Sequence, residues 1–292
     1  MTIVDAHHHV WDLTAADQPW LAQPELAPLR RNFALSDLKP EAVAQGVTAT
    51  VLVQTVTEPG ETPEMLALAA ADDLVAGVVG WVDLEAPGVV DAVAALRQQP
   101  GGDLLVGIRH PLLTEPDPAW LARPAVRRGL AAVAAAGLVF DVVGEACQLA
   151  AAATAAAATP ELTFVLDHLG NPDVRAGIDE LWASAVRALA ALPNTVAKLS
   201  GILAEPAIPD DAARPADGAQ TGHIRPFYEV ALSGFGPGRL MFGSDWPVST
   251  LTASYADVHA AARSLTADLS QAEQAAVFRD TAVRAYGLKP TR

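Results

Sequence analysis

Eight short runs of aliphatic and β-branched residues recur along the chain, each separated from the next by enough residues for a helix. They are "IVDAH" from Ile3, "TATVLVQ" from Thr48, "LVAGVVGWV" from Leu74, "LLVGIR" from Leu104, "LVFDVV" from Leu138, "LTFVLDH" from Leu162, "TVAKLS" from Thr195 and "RLMFGSD" from Arg239. Such runs read as strands, and the Ala-rich intervals between them carry helical spacing, which predicts repeated βα units around a parallel sheet. Eight parallel strands close into an α/β fold, the TIM-like (β/α)8 barrel, and 292 residues suit one such barrel as a single domain over 1–292. Helices are expected over 63–73, 124–137 and 178–192, the second with Pro at its start and Gly at its end. A doubly wound sheet is the competing arrangement, but no Gly-rich phosphate fingerprint follows the first strand. The tract Leu203 to His223, rich in Pro, Asp and Ala, is too long for a connector and predicts a loop over the barrel mouth after the seventh strand.

Hydrophobic residues make up 51% of the chain and charged residues 18%, a composition that buries a core rather than solvating a disordered chain. The net charge of −15 would repel a phosphate backbone, which excludes nucleic acid as the expected partner. Cys147 stands alone, so no internal disulfide forms and a reducing cytoplasm is the expected compartment. The apolar tract Leu149 to Ala158 is too short to span a bilayer, and no secretory leader pattern opens the sequence, so no membrane association is expected.

In a (β/α)8 barrel the chemistry sits at the carboxyl ends of the strands. His7 and His9 fall at the end of the first run, Arg109 and His110 at the fourth, His168 at the sixth, Lys198 and Ser200 at the seventh, and Asp245 at the eighth. Strand alternation places His7 and His9 on one face, toward the mouth, with His8 on the other. Two imidazoles on one strand can hold a divalent metal, and His168 with Asp245 would complete a four-ligand set that suits zinc. The fifth run offers Asp141 and Glu145 but no histidine, so one metal at most is expected. Plainer readings exist for each residue: a hydrogen-bonded structural histidine, a turn-forming Asp245 before Pro247, a surface ion pair for Arg109. The coincidence of all four residues at strand ends favours an active site. Asp245 suits a general base, and Arg109 a group that holds a substrate carboxylate or polarises a carbonyl. Gln54 and Lys198 are candidates for substrate contact, as are Trp11 and Trp246 among the mouth-side aromatics; His110 is expected to face away from Arg109, and Cys147 carries no assigned chemistry.

The stretches "VDAHHHVWD", "GIRHPLLTEPDPAWL", "FVLDHLGNP", "AKLSGI" and "LMFGSDWPV" together resemble the amidohydrolase-related proteins of the sugar-lactonase and dicarboxylate-lactonase branch of the amidohydrolase superfamily. The resemblance runs from the first strand to the last. It implies a distorted (β/α)8 barrel that hydrolyses lactones, with His7, His9, His168 and Asp245 on the positions of the ligand and base residues. Some members of this branch carry zinc and others work without it. The sequence departs from the pattern at Leu113, at "VGEACQL" from Val143 and at Asn171.

The expected function is therefore hydrolysis of a lactone, a small-molecule substrate, with Asp245 moving the proton and His168 and Arg109 beside it. The carbonyl would be polarised either by one zinc ion or by the imidazoles and Arg109 directly. Two rivals stand beside it: a metal-dependent decarboxylase on the same residues, and a barrel that binds without catalysis. Homo-oligomer formation is open, because the long loop could cover substrate or a neighbouring copy.

Overall fold

A computed structural model describes residues 2–204 and 221–289. All eight expected strands form: β1 (Ile3–His8), β2 (Val47–Val53), β3 (Val75–Gly80), β4 (Leu105–Pro111), β5 (Val139–Val143), β6 (Phe164–Leu166), β7 (Thr195–Leu199) and β8 (Leu240–Phe242). They pair in parallel in sequence order, β1 through β8. A helix follows each strand: α1 (Leu35–Ala44), α2 (Glu61–Ala71), α3 (Val89–Arg97), α4 (Pro124–Ala135), α5 (Ala146–Ala158), α6 (Glu180–Ala190), α7 (Arg225–Phe235) and α8 (Tyr255–Leu265). Two short helices, α9 (Gln271–Ala275) and α10 (Thr281–Tyr286), end the described chain. The architecture is the expected (β/α)8 barrel. Residues 205–220, most of the stretch expected to form a loop over the mouth, lie outside the described residues.

Helix ends follow local chemistry. Gly137 takes a left-handed φ of 66° just beyond α4, where its N–H donates to Ala134, so the helix stops at the glycine that marks its end in the sequence. The Asp179 carboxylate accepts from the Leu181 N–H and starts α6 at Glu180. α2 begins two residues before Pro63, which sits comfortably in a first turn where its missing N–H costs nothing. Among the described residues, no helix is long and apolar enough to cross a membrane.

The core has two parts. One lies between the sheet and the helix ring; the other fills the barrel, where Val51, Val79, Val139, Val165, Val196 and Met241 meet, one from each of six strands. The seam between β1 and the segment after β8 is closed near the mouth: the Asp245 N–H donates to the His7 carbonyl at 2.8 Å, and the His9 N–H to that of Trp246 at 2.7 Å. Asp5 holds this seam from the outer side. Its carboxylate accepts from the backbone of Ser244 at 2.8 Å and of His7 at 3.1 Å, and from the Tyr255 hydroxyl at 2.9 Å. Burial pushes the Asp5 carboxyl up, against the pull of those donors.

Asp5→Ala removes the acceptor of three buried donors, so it should destabilise the protein by about 3 kcal/mol or more. Denaturant midpoints of the two proteins measure this, and a loss below about 1 kcal/mol would show that the seam does not depend on Asp5.

Candidate active site

A register shift builds the first half of the site. Val4 and Ala6 face the barrel interior, so strict alternation would send His8 inward and His7 out. Between the pairings Asp5 with Thr50 and His8 with Leu52, however, three residues of β1 advance against two of β2. This bulge reverses the parity and turns His7 and His9 to the interior. His8 points outward as expected, with Nε2 2.9 Å from Thr50 Oγ1.

Left-handed backbone builds the second half. His168 and Leu169 follow β6 with φ of 52° and 50°, and Asp245 follows β8 with φ of 57°. Non-glycine residues reach this region at an energetic cost, so the surrounding structure must hold them there. Trp182 does so after β6, donating its indole N–H to the Leu169 carbonyl at 2.8 Å. The turn lets the consecutive residues Asp167 and His168 both reach the same cavity. Glycines leave room for the rings: a Cβ on Gly243 would lie 2.7 Å from His7 Cβ, and one on Gly201, whose φ is 66°, 2.8 Å from His168 Cβ.

His7, His9, His168 and Asp245 converge. His7 Nε2 lies 3.1 Å from His9 Nε2, and Asp245 Oδ1 lies 3.6 Å from the first, 3.5 Å from the second and 3.9 Å from His168 Nε2. Four nitrogen and oxygen ligands around a tetrahedral zinc stand about 3.3 Å from one another. The spacing of His7, His9 and Asp245 fits such an ion, with His168 a few tenths of an ångström further out. His9 is oriented for it: Nδ1 donates to the Val53 carbonyl at 2.7 Å, which leaves the lone pair on Nε2. His168 Nδ1 lies 2.9 Å from Ser200 Oγ, and the same logic applies there if the hydroxyl accepts. Burial holds all three imidazoles neutral, pushing His9 down to about 3 and lowering His7 and His168. Burial also raises the Asp245 carboxyl, against the nearby His168 and Arg109.

Beneath the histidines lies a layer of buried charge that sequence reasoning left largely unassigned. Lys198 Nζ lies 2.6 Å from Asp141 Oδ2, 3.0 Å from Asp167 Oδ1 and 3.1 Å from His7 Nδ1. Arg109 donates to Asp167 at 3.1 Å. Burial opposes the ionised form of Asp167, but Lys198, His7 and Arg109 outweigh it and hold the carboxyl well below its usual range. Asp167 Oδ1, sealed from solvent, meets the Lys198 ammonium at 3.0 Å, has no further hydrogen bond among the described residues, and lies 3.5 Å from His7 Nδ1. An ion on His7 Nε2 would require the ring proton on Nδ1, and Asp167 Oδ1 is the carboxylate placed to accept it. Asp167 and Asp141 carried a readable signal: each stands two residues beyond an inward valine, Val165 and Val139.

The expected substrate contacts are placed otherwise. Lys198 and Gln54 have no exposed surface. The Gln54 side-chain oxygen accepts from Arg109 Nε at 3.0 Å and Nη2 at 2.8 Å, and its backbone carbonyl accepts from Nη2 as well. Arg109 therefore spends its fork on Gln54 and Asp167, with Nη1 also 3.4 Å from His7 Nε2, and does not present a bidentate face to a substrate. Trp11 and Trp246 pack edge-to-face on either side of Phe33, at ring separations of 5.0 and 5.5 Å, and Trp246 is 1% exposed. His110 faces away from Arg109, as expected, between Trp81, Glu115 and the stacked ring of Trp120. Cys147 is exposed and takes no part.

Comparison with known proteins identifies the family of the chain. A family model described as amidohydrolase matches residues 4–288. A Burkholderia multivorans protein named L-fucono-1,5-lactonase is 38% identical, over 98% of this chain and 96% of its own length. A Burkholderia ambifaria protein of the same name is 34% identical over 87% of this chain and 83% of its own. The crystal structure of a Burkholderia multivorans amidohydrolase with bound zinc superposes with a TM-score of 0.89 at 37% identity, covering 99% of this chain and 100% of that one. With the match spanning the whole barrel from β1 to the C-terminal helix, the chain belongs to the amidohydrolase family.

Proposed function

We propose that this chain hydrolyses the lactone ring of a sugar acid, with Asp245 as the proton-transfer group. One observation carries the reading: the shortest contact of Asp245 with each of the three imidazoles is through Oδ1, so that oxygen faces the ligand set and Oδ2 is the one offered for a proton. Asp245 takes a proton from water as its oxygen attacks the ring carbonyl. It then returns the proton to the ring oxygen as the carbon–oxygen bond breaks, so one carboxyl serves both halves of the reaction. Burial of that carboxyl raises its basicity, which favours the first transfer. His7, His9 and Asp245, with His168 slightly further out, would hold a divalent ion, zinc by the ligand set, which supplies Lewis-acid polarisation of the carbonyl oxygen when bound. Arg109, pinned by Gln54 and Asp167, contributes a fixed positive charge beside the developing oxyanion.

The named activity of the two Burkholderia relatives supports the sugar-acid class, with L-fucono-1,5-lactone as the first substrate to offer. The lone cysteine supports a reducing compartment such as the cytoplasm.

Asp245→Asn should lower kcat for lactone opening by about 10²–10⁴-fold, the usual worth of a positioned acid–base group. A pH-indicator assay reads it, and undiminished turnover would remove Asp245 from the mechanism. Chelation should abolish turnover on a panel of sugar-acid and dicarboxylate lactones, and zinc should restore it. Turnover that survives chelation would instead assign polarisation to the imidazoles and Arg109, whereas carbon dioxide release from aromatic acids without lactone turnover would point to a decarboxylase.

A further inference from the structure

The end of the barrel opposite the site is stopped by the C-terminal segment. Ala282, Tyr286 and Leu288 pack among the inward residues of the strands, including Val4 and Ala49 near the strand starts. Leu288 lies against the start of β3, where a Cβ on Gly77 would come within 3.0 Å of its Cδ2. Most of this plug is apolar. Tyr286 is the exception, because its hydroxyl passes up the barrel axis and donates to Asp141 Oδ2 at 2.8 Å.

That oxygen is the one that accepts from Lys198 Nζ at 2.6 Å, and the same ammonium faces His7 Nδ1 at 3.1 Å. A continuous chain of buried contacts thus runs from the C-terminal helix to a histidine of the site. The Tyr286 ring adds a second restraint, with Lys198 Nζ 5.5 Å from its centroid. Every group in the chain is fully or almost fully buried, so no water competes for these bonds. Among the described residues the other Asp141 oxygen has no hydrogen-bond partner, so the hydrogen bonds that orient Asp141 there are those of Tyr286 and Lys198.

We propose that Tyr286 is a positioning residue for the active site, its hydroxyl holding Asp141 so that Lys198 stays against Asp167 Oδ1, the carboxylate oxygen that faces His7 Nδ1. The role rests on the reading of the histidines as a metal and lactone site, but it concerns the placement of His7 whether or not an ion is present. Groups that orient a metal ligand from behind commonly change metal affinity by 10- to 100-fold when removed.

Tyr286→Phe keeps the packing volume and deletes the hydroxyl, and Leu288→Ala loosens the same plug without touching Asp141. Zinc affinity is measured by competition with a chelator, and the His7 ring nitrogens by NMR of the ¹⁵N-labelled metal-free protein. Tyr286→Phe is expected to weaken zinc binding about tenfold and shift the His7 nitrogen signals, whereas Leu288→Ala lowers the melting temperature and leaves both unchanged. Equal zinc affinity and unshifted His7 signals in Tyr286→Phe would overturn the proposal. So would equal effects in Leu288→Ala, since the plug's packing and not the hydroxyl would then be responsible. Should the wild type itself take up no zinc, the metal reading of the histidines fails separately, and the His7 signals still decide the role of Tyr286.

Discussion

Lys198 is the interaction on which the site depends. An ammonium removed wholly from water is tolerable only beside compensating charge, and here it is held between Asp141 and Asp167 with His7 above it. Replacing it with an apolar side chain would leave two carboxylates sealed in the barrel without their shared cation. The valine layer below explains why the charges are so exposed to one another: Val139, Val165 and Val196 fill the barrel, and the next inward residue on each strand is Asp141, Asp167 or Lys198. The strand period that packs the core thus also stacks the charge layer directly on top of it.

Arg109 extends this layer sideways. Its guanidinium ties β4 to β2 through Gln54 and to β6 through Asp167, so three strands are cross-linked at the level of the histidines. A side chain held this tightly cannot follow a substrate, but it keeps a positive charge at one place without reorganising as the reaction proceeds. Preorganisation of that kind suits a fixed electrostatic role better than a flexible binding one.

Much of this was legible from sequence. Eight strands emerge because each is a compact apolar run bounded by turn residues, and the glycine after α4 marks its end. The four site residues lie in motifs at strand ends, where the fold puts chemistry. The pairing of His7 with His9 was legible too, though it reaches the right face only through a bulge that alternation by itself does not foresee. Asp141 and Asp167 were legible in principle from their spacing after inward valines. Asp5 and Tyr286 were not, since their partners lie far along the chain: Asp5 meets Ser244 and Tyr255, and Tyr286 meets Asp141. The burial of Trp11 and Trp246 around Phe33 was not legible, because proximity to a motif does not tell which side of the backbone a ring takes.

The charge balance of the layer bears on what it can hold. Three buried carboxylates, Asp141, Asp167 and Asp245, face two buried cations, Lys198 and Arg109, while burial keeps the histidines neutral. One negative charge is left over. Burial raises two of the three carboxyls, Asp141 to about 6 and Asp245 above its ordinary value. A divalent ion between His7, His9 and Asp245 would answer the same deficit directly and would lower the proton affinity of the carboxylates around it. An ion held there would need Asp245 ionised and the imidazoles neutral, so its binding would strengthen as pH rises through the raised Asp245 carboxyl.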